Sequence, residues 1–143
     1  MRTNVERPLV LPAQTLGLLR RLARSAHPRE ACGVLFGNPR TREVLRVAEL
    51  TNVADHHLDF AFDPQEQLDW WVSEEAEGRV PLVLWHSHPT AELYPSPADA
   101  TCMAMHARLD HLIVSRWTAR AFRWRDGVMP VELRSKPGWF RVG

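Results

Sequence analysis

An apolar run that ends at two closely spaced histidines constrains the fold of this chain more than any other feature. Residues 81–85 have the length and the uninterrupted hydrophobicity of a β-strand that is buried on both faces. His86 and His88 follow at once, and side chains two positions apart on a strand point to the same face of the sheet. The sequence therefore predicts a central strand that ends in a pair of adjacent imidazoles.

The segment after the histidines has the signals of a short loop and a helix start. Pro89 lacks a backbone N–H and is expected to end the strand. Ser96 is a preferred N-cap residue, Pro97 suits the first helical position, and Asp99 falls in the first turn. The positive end of the helix dipole keeps a carboxylate there ionised, which a metal ligand must be. We therefore expect the loop to bring Asp99 back over the histidines as a third ligand.

The candidate ligands His86, His88 and Asp99 together form a set typical of a catalytic zinc site, with a fourth position open for water. Each part of the pattern also has a simpler explanation. A His-x-His pair is common at exposed strand ends, and residues 96–99 repeat the cap, proline and acid of residues 63–66, which predict only a helix start. The combination of buried strand, histidine pair, short loop and capped helix favours the metal site.

The rest of the chain alternates between helical and strand patterns. Helices are predicted over residues 12–26, from the Asp63 cap to Gly78, and from Ser96 to about residue 107. The strands predicted besides residues 81–85 are 31–36, 44–52, 112–115, 119–125 and 128–133, with hairpin turns near residues 37–39 and at residues 126–127. We therefore predict an α/β fold in which a mixed β-sheet lies between helices, within one domain over residues 1–143.

Composition excludes several functional classes. The formal net charge is +1 and the basic residues form no cluster, so neither a nucleic-acid surface nor a membrane surface is expected. The sequence also lacks a signal-peptide pattern and a membrane-spanning run, which indicates a cytoplasmic protein. Cys32 and Cys102 are interpreted as small buried residues with reduced thiols, although the sequence leaves open a disulfide between them or an approach of Cys102 to the metal.

The metal pattern resembles the signature of a known family. His86-Ser87-His88-Pro89, followed after six residues by Ser96-x-x-Asp99, is similar to the motif of the JAMM (MPN-plus) zinc metalloproteases, which include zinc-dependent deubiquitinases and their prokaryotic relatives. Glu30-Ala31-Cys32-Gly33, Asn52 and Phe62-Asp63-Pro64 resemble the family as well. The resemblance spans most of the chain and implies the MPN fold, with a layering like that of cytidine deaminases.

The resemblance also implies a role for each residue of the site. His86, His88 and Asp99 would bind Zn²⁺, and Glu30 would activate the zinc-bound water as general base and pass its proton to the leaving amine. Ser96 would help to stabilise the oxyanion of the tetrahedral intermediate. From the residues alone, Glu30 would be interpreted as a solvated acid and Ser96 as an N-cap.

The activity that the resemblance implies is hydrolysis of the amide bond after the C-terminal glycine of a ubiquitin-like or sulfur-carrier protein, as a peptidase or isopeptidase. The extended tail of such a substrate would pair with the edge of the sheet. Two alternatives remain open, namely release of a single amino acid such as cysteine from a carrier protein and a non-catalytic MPN scaffold. Because the chain is short, we do not expect linkage-specific deubiquitination, and the sequence does not indicate an oligomeric state.

Overall fold

The computed structural model describes residues 6–56 and 59–137 of the chain. Within them, helices and strands alternate as the sequence predicts. In chain order the elements are β1 (Leu9–Pro12), α1 (Ala13–Ala26), β2 (Cys32–Gly37), β3 (Val44–Leu50), α2 (Pro64–Ala76), β4 (Val80–Ser87), α3 (Pro97–Met105), β5 (Asp110–Val114), β6 (Ala119–Trp124), β7 (Val128–Val131) and β8 (Leu133–Lys136).

Six strands form the main sheet, in the order β3-β2-β4-β5-β6-β7. Strands β4 and β5 are parallel and the other neighbours are antiparallel, so the sheet is mixed as predicted. Helix α1 packs on one face through Leu19, and α2 packs on the other face through Trp70 and Trp71. Helix α3 lies on the same face as α2, where Met103 is part of the buried core. The predicted α/β class, a mixed sheet between helices, is confirmed.

The prediction of a single strand over residues 128–133 is wrong. Strand β7 ends at Val131 and pairs with β6, whereas β8 begins at Leu133 and pairs in parallel with β1 in a separate two-stranded sheet. The chain passes from one sheet to the other at Glu132, and local hydrophobic periodicity carries no information about which strand will be the partner. Strand β1 was not predicted, and α1 begins at Ala13 because Pro12 is its extended N-cap.

Strand β4 lies in the middle of the main sheet and is buried from Leu82 to Ser87. Its Trp85 packs on the α1 face, and the indole Nε1 donates to the Ala48 carbonyl at 3.2 Å. Gly33 makes room for this indole, since a Cβ at that position would lie 1.9 Å from the Ala48 oxygen and 2.7 Å from Nε1. Strand alternation then directs the next side chain, His86, to the face that carries α2 and α3.

The predicted elements other than β7 and β8 are present with ends that differ by at most two residues. None of the three helices in the described part of the chain has the length and apolar character needed to cross a bilayer.

Candidate metal centre and neighbouring carboxylate

Three potential ligand atoms converge where β4 ends. The Nε2 atoms of His86 and His88 are 3.1 Å apart, and they lie 3.2 Å and 3.1 Å from Oδ2 of Asp99. Zinc bonds to nitrogen and oxygen of about 2.0–2.1 Å give a tetrahedron with edges of about 3.3–3.4 Å. The three atoms are therefore spaced as one face of such a tetrahedron, and the predicted residues fit a zinc ion.

The protonation of these groups also suits a cation. Nδ1 of His88 lies 2.7 Å from the Glu92 carbonyl, so it carries a hydrogen and donates, and a metal can be bound only through Nε2. Burial works to lower the pKa of His88, but the hydrogen bonds to Asp99 and Glu92 outweigh it and raise this pKa, so a bound cation would take the place of a proton on Nε2. Burial lowers the pKa of His86 and keeps that imidazole neutral. Burial works to raise the pKa of Asp99, but the two imidazoles outweigh it and hold this pKa well below its usual range. Two imidazole nitrogens and one carboxylate oxygen thus face one point, and a bound cation would replace the hydrogens that these atoms share.

The start of α3 fixes the orientation of Asp99. The Ser96 hydroxyl accepts from the Asp99 amide at 3.1 Å, and the Ser96 amide donates to Oδ2 of Asp99 at 2.9 Å. This reciprocal capping box means that the helix-cap interpretation of Ser96 and Asp99 is compatible with a metal role for Asp99. Because the Ser96 hydroxyl accepts here, its hydrogen remains available to donate to a ligand.

Glu30 lies beside the histidines, just before β2. Its side chain is buried, with 4% of the residue exposed, and one ligand atom of Glu30 is within 4.8 Å of those of His86 and His88. Among the described residues, Oε1 of Glu30 has no hydrogen-bond partner. Burial raises the pKa of Glu30 to about 8, with His88 opposing and Asp99 adding to the increase. A buried carboxyl with a raised pKa next to a ligand cluster is suited to accept and release a proton.

Two residues near Glu30 have contacts that the sequence did not indicate. The Asn52 side-chain amide donates to the Glu30 carbonyl at 2.8 Å, and the Phe60 ring stacks on His86 with centroids 4.4 Å apart. The sequence marked Asn52 only through the family resemblance, and Phe60 had no signal because it lies in an irregular loop. Ser87, between the two histidines, accepts from the Ala31 amide at 2.8 Å.

Both cysteines are free thiols, so the disulfide that the sequence left open is not formed. The Cys32 thiol is buried and donates to the Leu50 carbonyl at 3.6 Å, and burial raises its pKa to about 12. Cys102 packs against the apolar cluster around Leu84, and burial raises its pKa as well. In the part of the chain that the structure describes, neither sulfur belongs to the ligand group that contains His86 and His88.

Replacing both Cys32 and Cys102 by alanine is expected to change kcat by no more than about twofold, because a thiol with a raised pKa is a poor nucleophile and a poor metal ligand. The measurement is steady-state hydrolysis together with the zinc content of the double variant. A loss of zinc or a large loss of kcat would indicate that one thiol takes part in the chemistry.

A groove leads from the surface to Asp99. It has a volume of about 380 Å³ and lies between residues 59–62 and α3, with Phe60, Phe62, Cys102 and Met105 among its lining residues. One end of an extended peptide held in this groove would therefore lie next to the ligand cluster.

Comparison with known sequences identifies related proteins. Residues 12–126 match the family described as prokaryotic homologs of the JAB domain. A CysO-cysteine peptidase from Mycobacterium tuberculosis is 33% identical over 129 residues, which cover 87% of this chain and 88% of that protein. A probable TtuB-protein conjugate cleaving protease from Thermus thermophilus is 34% identical over 101 residues, covering 70% of this chain and 65% of that protein.

Solved structures with the same fold are also known. The solution structure of a protein from Desulfitobacterium hafniense has a TM-score of 0.78 and 31% identity, covering 91% of this chain and 94% of that one. A JAB1/MPN domain protein from Archaeoglobus fulgidus has a TM-score of 0.55 and 18% identity, covering 88% and 98% of the two chains. The MPN fold implied by the motif is therefore confirmed.

Proposed function

Because the chain belongs to the family of prokaryotic homologs of the JAB domain, we infer that it is a JAB-type hydrolase, and we propose that it depends on zinc. Its substrate in this proposal is a ubiquitin-like or sulfur-carrier protein, cleaved at the amide bond after the C-terminal glycine. The observation that carries the proposal is the convergence of ligand atoms of His86, His88 and Asp99 within 3.2 Å of one another, next to Glu30, whose Oε1 has no hydrogen-bond partner among the described residues.

In the proposed mechanism, His86, His88 and Asp99 hold Zn²⁺, which when bound lowers the pKa of water and polarises a carbonyl. Glu30 accepts a proton from the attacking water at its carboxylate, and burial favours the protonated form that results. The same carboxyl then donates this proton to the nitrogen of the leaving amine. The Ser96 hydroxyl, held at the start of α3, donates to the oxyanion that forms on the scissile carbonyl.

We propose that the carrier tail binds in the groove beside residues 59–62. Its lining includes the apolar side chains of Phe60, Phe62 and Met105 and the carboxylate of Asp99. Within the described part of the chain, the main-chain N–H and C=O of Phe60 form no hydrogen bond, so they can pair with an extended peptide. A tail that ends in glycine brings no side chain to the scissile bond, so it can approach the buried His86 and Asp99 closely.

Cysteine is a second candidate for the leaving group. The relative named as a CysO-cysteine peptidase matches 87% of this chain, whereas the TtuB-conjugate protease matches 70%. Cysteine, a peptide and a lysine side chain would be released by the same chemistry, because each leaving group is an amine bonded to the glycine carbonyl carbon.

Mass spectrometry of matched substrates tests the proposal. One carrier protein would be prepared with its C-terminal glycine joined to cysteine, to a short peptide, or to a lysine side chain of a second protein. We expect release of the carrier with a free glycine terminus, abolished by a chelator and restored by zinc. Cleavage of the cysteine form alone would identify a single amino acid as the leaving group, and no cleavage of any form would contradict the proposed substrate.

We further propose that residues 1–143 form one domain, because all three helices pack on the same sheet. Two free thiols are typical of a reducing compartment, which supports the cytoplasm as the site of action.

A further inference from the structure

We propose that Asn52 and Ser87 are positioning residues that together hold the main chain of Glu30 so that its carboxyl faces the metal ligands. These two side chains are called the Glu30 clamp below. The inference rests on the proposed role of Glu30 as the proton carrier. It adds two residues that do not touch the reacting atoms in this arrangement but determine where Glu30 lies.

Ser87 forms one half of the clamp. Only 1% of it is exposed, and its hydroxyl accepts from the Ala31 amide at 2.8 Å while its own amide donates to the Ala31 carbonyl at 2.8 Å. Ser87 also lies between the two histidine ligands on β4. The three-residue segment that carries two ligands of the metal is therefore bonded directly to the residue after Glu30. This fixes the main chain of Glu30 relative to the ligands.

Asn52 forms the other half. Its amide nitrogen donates to the Glu30 carbonyl at 2.8 Å and to the Asp59 carbonyl at 2.9 Å. Its side-chain oxygen accepts from the amides of Ala54 and Ala61 at 3.0 Å and 3.1 Å. All four hydrogen bonds available to this side chain are formed, each to main chain. Asn52 thus joins Glu30 to the loop that carries Phe60.

Glu30 needs this support because few hydrogen bonds hold its own carboxyl in place. With no hydrogen bond to Oε1 from the described residues, the position of the carboxyl depends on the main chain and on packing. A displacement of about 1 Å at a catalytic group can lower the rate by about 10²-fold. Both clamp residues bond to the peptide group that follows the Glu30 Cα, since Asn52 donates to its carbonyl and Ser87 accepts from its amide. They therefore restrain the main chain from which this side chain extends.

Two variants test the clamp, and the chain offers a matched control for each. Ser87→Ala removes the hydroxyl that accepts from the Ala31 amide. Ser115 is equally buried at the turn between β5 and β6, and Ser115→Ala removes a hydroxyl that likewise accepts from main-chain amides. Asn52→Asp keeps the two accepted hydrogen bonds and removes both donated ones. Asn38→Asp is its control, because the Asn38 side chain accepts from the Arg40 and Thr41 amides in the hairpin after β2.

We expect each clamp variant to lower kcat by about 10- to 100-fold with KM changed by less than about twofold, and to keep the zinc content of the wild type. The controls should keep the wild-type kcat even if their melting temperatures fall equally. Restoring the hydroxyl in Ser87→Thr should recover part of kcat. Equal kcat in the clamp variants and their controls, or loss of zinc from the clamp variants, would overturn the inference.

A second readout does not depend on the substrate. In protein labelled with ¹³C at glutamate carboxyl groups, the Glu30 resonance should shift in Ser87→Ala and Asn52→Asp and remain unchanged in both controls. If the resonance shifts in the two clamp variants but the wild-type protein cleaves no carrier substrate, the clamp is supported and the proposed substrate is contradicted. If the Glu30 resonance is unchanged in the clamp variants and the wild-type protein cleaves the carrier substrate, the clamp is contradicted and the proposed function is supported.

Discussion

Glu30→Gln is expected to keep its zinc and to lose about 10²- to 10⁴-fold in kcat, the range that general acid–base catalysis typically contributes. Glutamine fills the same buried space beside His86 and His88 but cannot carry a proton between water and a leaving amine. Because the substitution leaves all three proposed metal ligands in place, metal binding should not change. Zinc content by atomic emission and single-turnover hydrolysis by mass spectrometry measure the two quantities separately.

Glu49→Gln is the matched control for this experiment. Glu49 lies on β3 and lines the same surface opening as Glu30, but its side chain is exposed and does not belong to the ligand group at His86 and His88. The Glu49→Gln variant makes the same change from carboxyl to amide without removing the proposed proton carrier, so its kcat should remain near that of the wild type. Full activity in Glu30→Gln would remove Glu30 from the mechanism, and a loss of zinc would make Glu30 a ligand.

The second large effect is expected from His88→Ala, which should lower the zinc content from about one ion per chain to near zero and abolish hydrolysis. His88 provides one of three converging ligand atoms, and its Nδ1 bond to the Glu92 carbonyl orients it for this purpose. Without this imidazole, His86 and Asp99 would have to hold the ion with two protein ligands, which is too few for a stable zinc site.

His27→Ala is a suitable control, because His27 is exposed at the end of α1 and should not affect zinc. Zinc analysis and chelation by dialysis should be done on both variants and on the wild type. Near-zero zinc in all three proteins would favour the non-catalytic scaffold over an enzyme. Stoichiometric zinc in His88→Ala would show that the ion is held elsewhere.

The proposed ligand set could be predicted because its geometry is local. His86 and His88 share a face through the two-residue period of a strand, and Asp99 is directed by the capping box at the start of α3. Both features depend on residues 81–99 and on steric and hydrogen-bonding rules that act over a few residues. For the same reason the elements themselves were predicted closely, whereas the partners of β7 and β8 were not.

The place of Glu30 was decided by tertiary structure. Antiparallel pairing sets Cys32 opposite His86, and continuing this register brings residue 30 level with residue 88 on the same face. The spacing of residues 30 and 88 along the chain does not reveal this register, so only the family resemblance pointed to Glu30. The contacts of Asn52, Ser87 and Phe60 likewise exist only after the sheet has formed. The sequence alone determined which donors could bind a metal, and the strand register determined which carboxyl would lie beside them.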